Sequence, residues 1–100
     1  MVLITRKNSW WWGWLTYTAI STNTTLAANN LYDVTCSTAD IILTLPALTA
    51  WATLEVRKAD STRYSVIINA PSIMWGTSIS LTTQDEAVTL FYTGTTFIII

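Results

Sequence analysis

The feature that most limits what this chain can fold into is a series of short segments in which apolar and polar side chains alternate. In the segment 52–59, ATLEVRKA, Leu54 and Val56 point to one side of an extended strand. Glu55 and Arg57 point to the other side, where we expect them to face solvent as a pair. Helical periodicity is not sustained anywhere in the chain. The pattern therefore predicts an all-β protein.

Similar segments follow one another at intervals of roughly 8–12 residues, as in small β-sandwiches and barrels. They are rich in β-branched side chains, and turn residues separate them. Ala70-Pro71 is expected to end one of them, because proline cannot donate to a strand ladder. The spacing predicts a small antiparallel β-sandwich or barrel. Its expected strands are LYDVTCS (31–37), IILTLP (41–46), ATLEVRKA (52–59), RYSVIIN (63–69), SISLT (78–82), AVTLFYT (87–93) and TFIII (96–100).

The segment TFIII is apolar on both of its faces. A strand of this kind either lies in the centre of a fold or is covered by a neighbouring chain. For the second case we take Phe97 and Ile99 as candidate protein-interface residues.

The N-terminal segment is different, because it shows no alternation and contains four of the six tryptophans, all within residues 10–14. We predict that residues 1–15 form an extended docking arm ahead of a β domain at 16–100. Each tryptophan can bury about 150–250 Å². Four exposed together would approach or exceed the largest apolar patch of a typical monomer, about 300–600 Å². The cluster must therefore be covered.

Four kinds of cover are open: the protein's own core, another protein or the same arm of sister subunits, a sugar, and a lipid interface. Consecutive tryptophans in a strand face opposite sides, so one apolar surface cannot hold them all. A sugar platform favours isolated rings with polar neighbours, and a lipid interface favours basic flanks, which Arg6 and Lys7 supply only weakly. A protein interface meets the requirement best. We therefore assign interface roles to Trp10, Trp11, Trp12 and Trp14.

Two further tryptophans stand apart from this cluster. Trp51 lies among strand residues, and we predict that it packs in the core or between subunits. Trp75 lies in SIMWG (72–76), which is expected to be an irregular connection. For Trp75, too, packing in the core or between subunits is expected, and a ligand platform is the alternative.

Composition argues against several kinds of function. The net charge is −1 and the cations are dispersed, so no nucleic-acid partner is expected. The chain lacks histidine and has one cysteine, Cys36, which removes the usual general base and any cysteine cluster for zinc. No apolar run has the length of a membrane-spanning helix. We predict a protein without enzymatic activity, cofactor, metal or membrane partner.

Low charge also points to close packing. Only 11% of the residues are charged, and nineteen threonines supply much of the polar surface. Such a surface is polar with little repulsion, which suits a subunit packed among other subunits.

From Tyr32 onward the order of the segments is characteristic. A strand ending in Leu45-Pro46 precedes a strand with basic residues and an Asp-Ser turn, and the chain ends on an aromatic residue followed by isoleucines. In this order the sequence resembles a β module that recurs in virion proteins of tailed bacteriophages. The N-terminal tryptophan arm is not part of the shared pattern. The matching pieces are YDVTCSTADIILTLPA (32–47), LEVRKADSTRYSVIINA (54–70) and SISLTTQDEAVTLFYTGTTFIII (78–100).

Modules of this kind occur in tail fibres, head fibres and capsid decoration proteins. The resemblance thus implies a structural virion protein, and we favour a capsid decoration or cement protein on the outer surface of the shell. The expected partners are the major capsid protein or other virion proteins. The resemblance also implies a homo-oligomer, with a trimer favoured. The alternative is a tail- or head-fibre adhesin that binds host-surface glycans through Trp75 and Thr-rich loops.

Overall fold

The computed structural model describes residues 15–73 and 76–100. No residue in these ranges is helical, which confirms the predicted small all-β fold. The strands are β1 (Thr16–Ile20), β2 (Thr24–Thr25), β3 (Asn30–Val34), β4 (Ile41–Thr44), β5 (Thr53–Lys58), β6 (Val66–Ile73), β7 (Gly76–Leu81), β8 (Ala87–Tyr92) and β9 (Phe97–Ile99).

The chain winds through β1 to β6 in three successive coils. Each coil contributes one strand to a front half of the sheet and the next strand to a back half. In the front half β1 pairs with β3 and β3 with β5, all in parallel. In the back half β2 pairs with β4 and β4 with β6, again in parallel. Each strand therefore lies beside the strand one coil further along the chain. Polar links such as Ser21–Asn23 carry the chain from one half to the other.

The strands β7 to β9 run against this coil and join its two halves. In the back half β7 pairs antiparallel with β6, and in the front half β8 pairs antiparallel with β5. The last strand, β9, pairs antiparallel with β8 and touches β6, where Phe97 lies beside Ile73. The resulting strand order, β1-β3-β5-β8-β9-β6-β4-β2, makes a nearly closed barrel with β7 attached to β6.

The antiparallel pairing predicted from the sequence is thus found only among the pairs that involve β7, β8 and β9. Strands β1 to β6 pair in parallel with one another. Alternation of apolar and polar residues identifies the buried face of a strand, which is the same for either direction of its neighbour. Whether neighbouring strands run parallel or antiparallel depends on the path of the chain between them, and alternation carries no information about that path.

The core lies between the two halves of the sheet. Leu54 and Val56 of β5 have no exposed surface, as their alternation predicted. Burying a side chain of this size is worth about 1.5–3 kcal/mol, so the facing rows supply most of the stabilisation. The rows that meet Leu54 and Val56 are Val88 and Leu90 from the front half, and Leu43, Val66, Ile68 and Leu81 from the back half.

Strand β6 continues through the proline that was predicted to end it. It extends to Ile73, and its pairing with β7 shifts register between Asn69 and Ile73. Pro71 lies inside this irregularity, where a missing backbone donor is tolerated. The shifted segment brings Ile73 beside Phe97, so it contributes to joining the halves.

The segment TFIII is central. Strand β9 lies between β8 and β6, and Phe97 is completely buried with its ring centroid 4.5 Å from that of Tyr92. Phe97 therefore has no side-chain surface left for a partner, which corrects the interface role predicted for it. Ile99 is half-buried against the same core.

A buried polar cluster joins the link between β3 and β4 to the link between β5 and β6. Lys58 has no exposed surface, and its Nζ donates to Asp60 Oδ2 at 2.9 Å. The same ammonium donates to the carbonyls of Asp60 at 3.0 Å and Thr62 at 3.1 Å. All three of its protons are therefore satisfied, as a buried cation requires.

The carboxylate of Asp60 also accepts hydrogen bonds from backbone amides. The backbone amide of Cys36 donates to its Oδ1 at 2.8 Å, and the amide of Thr62 donates to its Oδ2 at 3.0 Å. The Thr62 hydroxyl also contacts Oδ2. Burial acts to raise the pKa of Asp60, but these bonds and Lys58 outweigh it and hold that pKa well below its ordinary value.

Candidate docking surface

The outer face of the front half carries most of the exposed aromatic surface in the described part of the chain. Tyr17 of β1 is 61% exposed, and Trp51, before β5, is 70% exposed. We call this surface the front face. It has a charged end around Tyr17 and an uncharged end around Trp51.

The charged end is built across neighbouring strands. Tyr17 and Arg57 lie on the outward side of β1 and β5, and both bind Asp33 of β3 between them. The Tyr17 hydroxyl donates to Asp33 Oδ2 at 2.7 Å. Arg57 donates from Nε to Asp33 Oδ1 at 2.9 Å and from a terminal nitrogen to Oδ2 at 2.9 Å. This bidentate geometry fixes the guanidinium plane.

Arg57 also reaches a second carboxylate. Its other terminal nitrogen lies 3.2 Å from Asp85 Oδ1, in the turn before β8. The network therefore ties three strands and a turn together on the surface. The hydrogen bond from the Tyr17 hydroxyl to Asp33 is the main cause that raises the pKa of the Tyr17 phenol.

A groove of about 450 Å³ opens beside this network. The described residues that line it are Leu15, Tyr17, Leu31 and Arg57. It combines apolar walls with one cation, and so suits an apolar or aromatic side chain with a polar tip. Leu15, one of the lining residues, is also the residue at which the described part of the chain begins.

Strand β1 is also a terminal strand of the sheet. Among the described residues it pairs with β3 alone; β2 and β7 likewise have one partner each. The amide of Thr16 bonds to Asn29, and the carbonyl of Ile20 accepts from Thr35. Alternate residues such as Ala19 then direct their backbone groups away from β3. The sequence TYTAI has no charge or proline to protect that edge.

Glu55 corrects the expectation of a solvent-exposed Glu55–Arg57 pair. It lies on the outward side of β5 but is only 2% exposed, and Thr89 of β8 donates to its carboxylate at 2.8 Å. A buried carboxylate needs such donors.

A second recess, of about 310 Å³, lies where the early links cross between the halves. Its polar side chains also hold the backbone: Asn23 accepts from the amide of Ile42 at 2.9 Å, and Asp40 accepts from that of Ser65 at 2.8 Å. Its lining consists of Ser21, Thr22, Asn23, Ser37, Thr38, Ala39, Asp40 and Ile41.

Chemically reactive groups are sparse in the described part of the chain. No three His, Cys, Asp or Glu side chains in residues 15–73 and 76–100 are placed to hold a metal ion. Cys36 is a free thiol without exposed surface, and burial raises its pKa, which suppresses the reactive thiolate.

Trp51 was predicted to be packed in the core or between subunits. The structure places it on the surface, with its ring centroid 5.5 Å from that of Phe91. Its φ angle is 74°, in the left-handed region that bulky residues seldom adopt. No alternation pattern reveals such a turn, although the preceding Pro46 and Thr49 mark the stretch as irregular.

The other tryptophans singled out from the sequence lie outside the described residues. These are the candidate interface residues Trp10, Trp11, Trp12 and Trp14 and the candidate ligand platform Trp75. Their predicted roles stay predictions.

Comparison with protein-family models, with curated proteins and with solved structures finds no match for this chain. Across residues 15–73 and 76–100 there is no helix with the length and apolar character needed to cross a membrane.

Proposed function

We propose that this protein is a structural, non-enzymatic virion component of a tailed bacteriophage that serves as a capsid decoration or cement protein. The phage assignment is supported by the sequence resemblance from Tyr32 to Ile100. The docking role is supported by one observation above all: the groove at Leu15 and Tyr17 lies where the Trp-rich arm joins the domain.

The proposed mechanism is passive burial of surface between the subunit and the shell. At about 25 cal/mol per Å², burying four tryptophans is worth on the order of 20 kcal/mol before ordering costs. The groove would accept an apolar side chain of the partner, and the outer edge of β1, which has no partner strand among the described residues, would accept a strand of the partner. These contacts would add to those that already hold the shell together.

The proposed partners are the major capsid protein or other virion proteins on the outer surface of the shell. The low charge of the domain supports close repetitive packing, because neighbouring copies repel one another weakly. A homo-oligomer fits this role, and the resemblance favours a trimer. Light scattering of the purified chain measures that state directly.

The arm is tested by deleting residues 2–14. We expect a domain that keeps its β circular-dichroism spectrum but no longer joins particles assembled with it, as judged by gel analysis of purified virions. Incorporation at the wild-type level would show that the arm is not needed for docking. Localisation of the chain only at the tail, by labelled electron microscopy, would contradict the cement role.

The groove is tested by Tyr17→Ala, which removes one wall of the groove and a side chain of β1 that is 61% exposed. We expect incorporation to fall at least tenfold. Ile42→Ala is the matched control, since Ile42 is a 41% exposed apolar residue of the back half. Equal incorporation of both variants would refute a docking role for the groove.

A further inference from the structure

The uncharged end of the front face has features that docking at the charged end does not use. Trp51 is 70% exposed, yet its backbone is fixed in the left-handed region at φ 74°. A large aromatic side chain that is both exposed and held in an unfavourable conformation indicates a role for the exposed ring.

Backbone hydrogen bonds hold the turn that presents the ring. The Trp51 amide donates to the carbonyl of Tyr92 at 2.6 Å, and the Tyr92 amide donates to Ala52 at 2.8 Å. The Ala52 amide closes the turn by donating to Thr49 at 3.1 Å. The indole also rests against Phe91 at an angle of 45° between the rings. Hydrogen bonds therefore fix the backbone that carries the ring, and Phe91 supports the ring, which lowers the entropic cost of binding.

Polar side chains stand in the two turns next to the ring. The turn at Gly94 packs close to the Trp51 turn, since a Cβ added at Gly94 would lie 3.5 Å from that of Ala50. Exposed threonines stand in both turns, Thr49 in one and Thr95 in the other. Neither segment 41–54 nor segment 87–100 contains a charged side chain.

We propose that Trp51 is a stacking platform for a neutral saccharide. The π face of an aromatic ring is negative, so it attracts the positively polarised C–H groups on the face of a pyranose ring. Threonine hydroxyls beside the ring can donate to and accept from sugar hydroxyls. A carboxylated or phosphorylated sugar would find no cation in these two segments.

The site is a surface platform, so we expect weak binding by one copy. Several copies held close together would bind a repetitive polysaccharide far more tightly, because later contacts form at high effective concentration. Sequence reasoning assigned glycan binding to Trp75. Trp51 is the tryptophan that the described structure presents for it, and the proposal does not depend on the docking role.

The test measures binding of the full chain to an array of neutral oligosaccharides, including dextran fragments and chitohexaose, beside polysialic acid as a charged probe. We expect binding to neutral probes only, and at least a tenfold loss in Trp51→Gly. Trp51→Phe, which keeps a smaller aromatic face, should retain part of the binding. Ile42→Ala again serves as the control and should bind like the wild type.

Nuclear magnetic resonance gives an independent readout. The indole N–H signal that disappears in Trp51→Gly should be the one that shifts when chitohexaose or dextran fragments are added. Absence of binding to every neutral probe, or equal binding by Trp51→Gly, would overturn the proposal. So would retention of a purified capsid protein, in place of the saccharides, through Trp51. Incorporation into particles is a separate measurement, so the docking role stands or falls by itself.

Discussion

Two neighbouring cations on β5 form ion-pair networks on opposite sides of the sheet. Lys58 points inward to Asp60 at 2.9 Å, and Arg57 points outward to Asp33 at 2.8 Å. The distances are nearly equal, but the environments are not. The Lys58 side chain has no exposed surface, whereas 34% of the Arg57 side chain is exposed.

The difference shows why distance alone does not measure what an ion pair contributes. A buried charge that loses its partner is strongly destabilising, because it cannot return to water. An exposed charge that loses its partner is solvated by water instead, so an exposed ion pair contributes little to the free energy of unfolding. We therefore infer that the Lys58–Asp60 network fixes the fold, whereas the Asp33–Arg57 network can be altered without unfolding the domain.

The largest effect is expected from Asp60→Asn. It leaves the ammonium of Lys58 buried without its carboxylate, so the free energy of unfolding should fall by about 3–5 kcal/mol. Urea denaturation followed by circular dichroism measures this. Asp40→Asn is the matched control, because Asp40 is exposed and its carboxylate accepts a hydrogen bond from the backbone amide of Ser65, which the side-chain oxygen of asparagine can also accept. Similar losses in both variants would contradict the stabilising role assigned to the buried carboxylate of Asp60.

The pH dependence of the unfolding free energy tests the contribution of Asp60 in a second way. The pKa of Asp60 is lowered in the folded protein, so its contribution to stability is complete above the unfolded value, about 3.9. That contribution is lost as the pH falls below about 4 toward the folded value. The difference in unfolding free energy between wild type and Asp60→Asn should therefore narrow in acid. A difference that stays constant from pH 7 to pH 2 would rule out this linkage.

A smaller effect is expected from Asp33→Ala in the outer network. Because Arg57 is partly solvated, the loss should be about 1 kcal/mol, and added salt should reduce it further. The pKa of the Tyr17 phenol should fall toward its ordinary value, since the bond to Asp33 is the main cause that raises it. Carbon-13 titration of labelled tyrosines measures this, and an unchanged Tyr17 pKa would contradict the assigned hydrogen bond.

The smallest effect is expected from Trp51→Gly. Losing the contact with Phe91 costs about 0.5–1.5 kcal/mol, and relieving the left-handed backbone returns about 1 kcal/mol or more. The thermal midpoint should therefore stay close to that of the wild type. Trp51→Ala loses the same contact but keeps the strained backbone, so it should be less stable than the glycine variant. The opposite order would show that the backbone at this position is not strained.

The sequence predicted the faces of the strands better than their neighbours. Alternation identified the buried side of β5 because it reports directly on burial. It could not show that β1 to β6 pair in parallel. The coils also differ in length: Thr16 lies beside Asn30, whereas Leu31 lies beside Glu55. No fixed repeat marks the coil, and Pro71 was taken as a stop because a proline at a bulge looks the same in sequence.

The buried network and the exposed tryptophan had different signals in the sequence. Lys58 stands in phase with Leu54 and Val56, so alternation placed its side chain on the core side. Lysine is rarely buried, so its place in this alternation does not by itself predict a buried ammonium. Trp51 had no comparable signal, since its exposure depends on a left-handed turn and on Phe91, which is distant in sequence.

The contact between Ile73 and Phe97 has a consequence for how the chain folds. Every parallel pair in the coil joins strands from successive coils, so few contacts are local and folding should be slow. The front and back halves are linked through β9, so the core between them cannot be fully shielded from water until that strand has been synthesised. A ribosome-bound chain stopped before residue 97 would thus keep part of its apolar interior open to water, and folding would be completed only after β9 has left the ribosome.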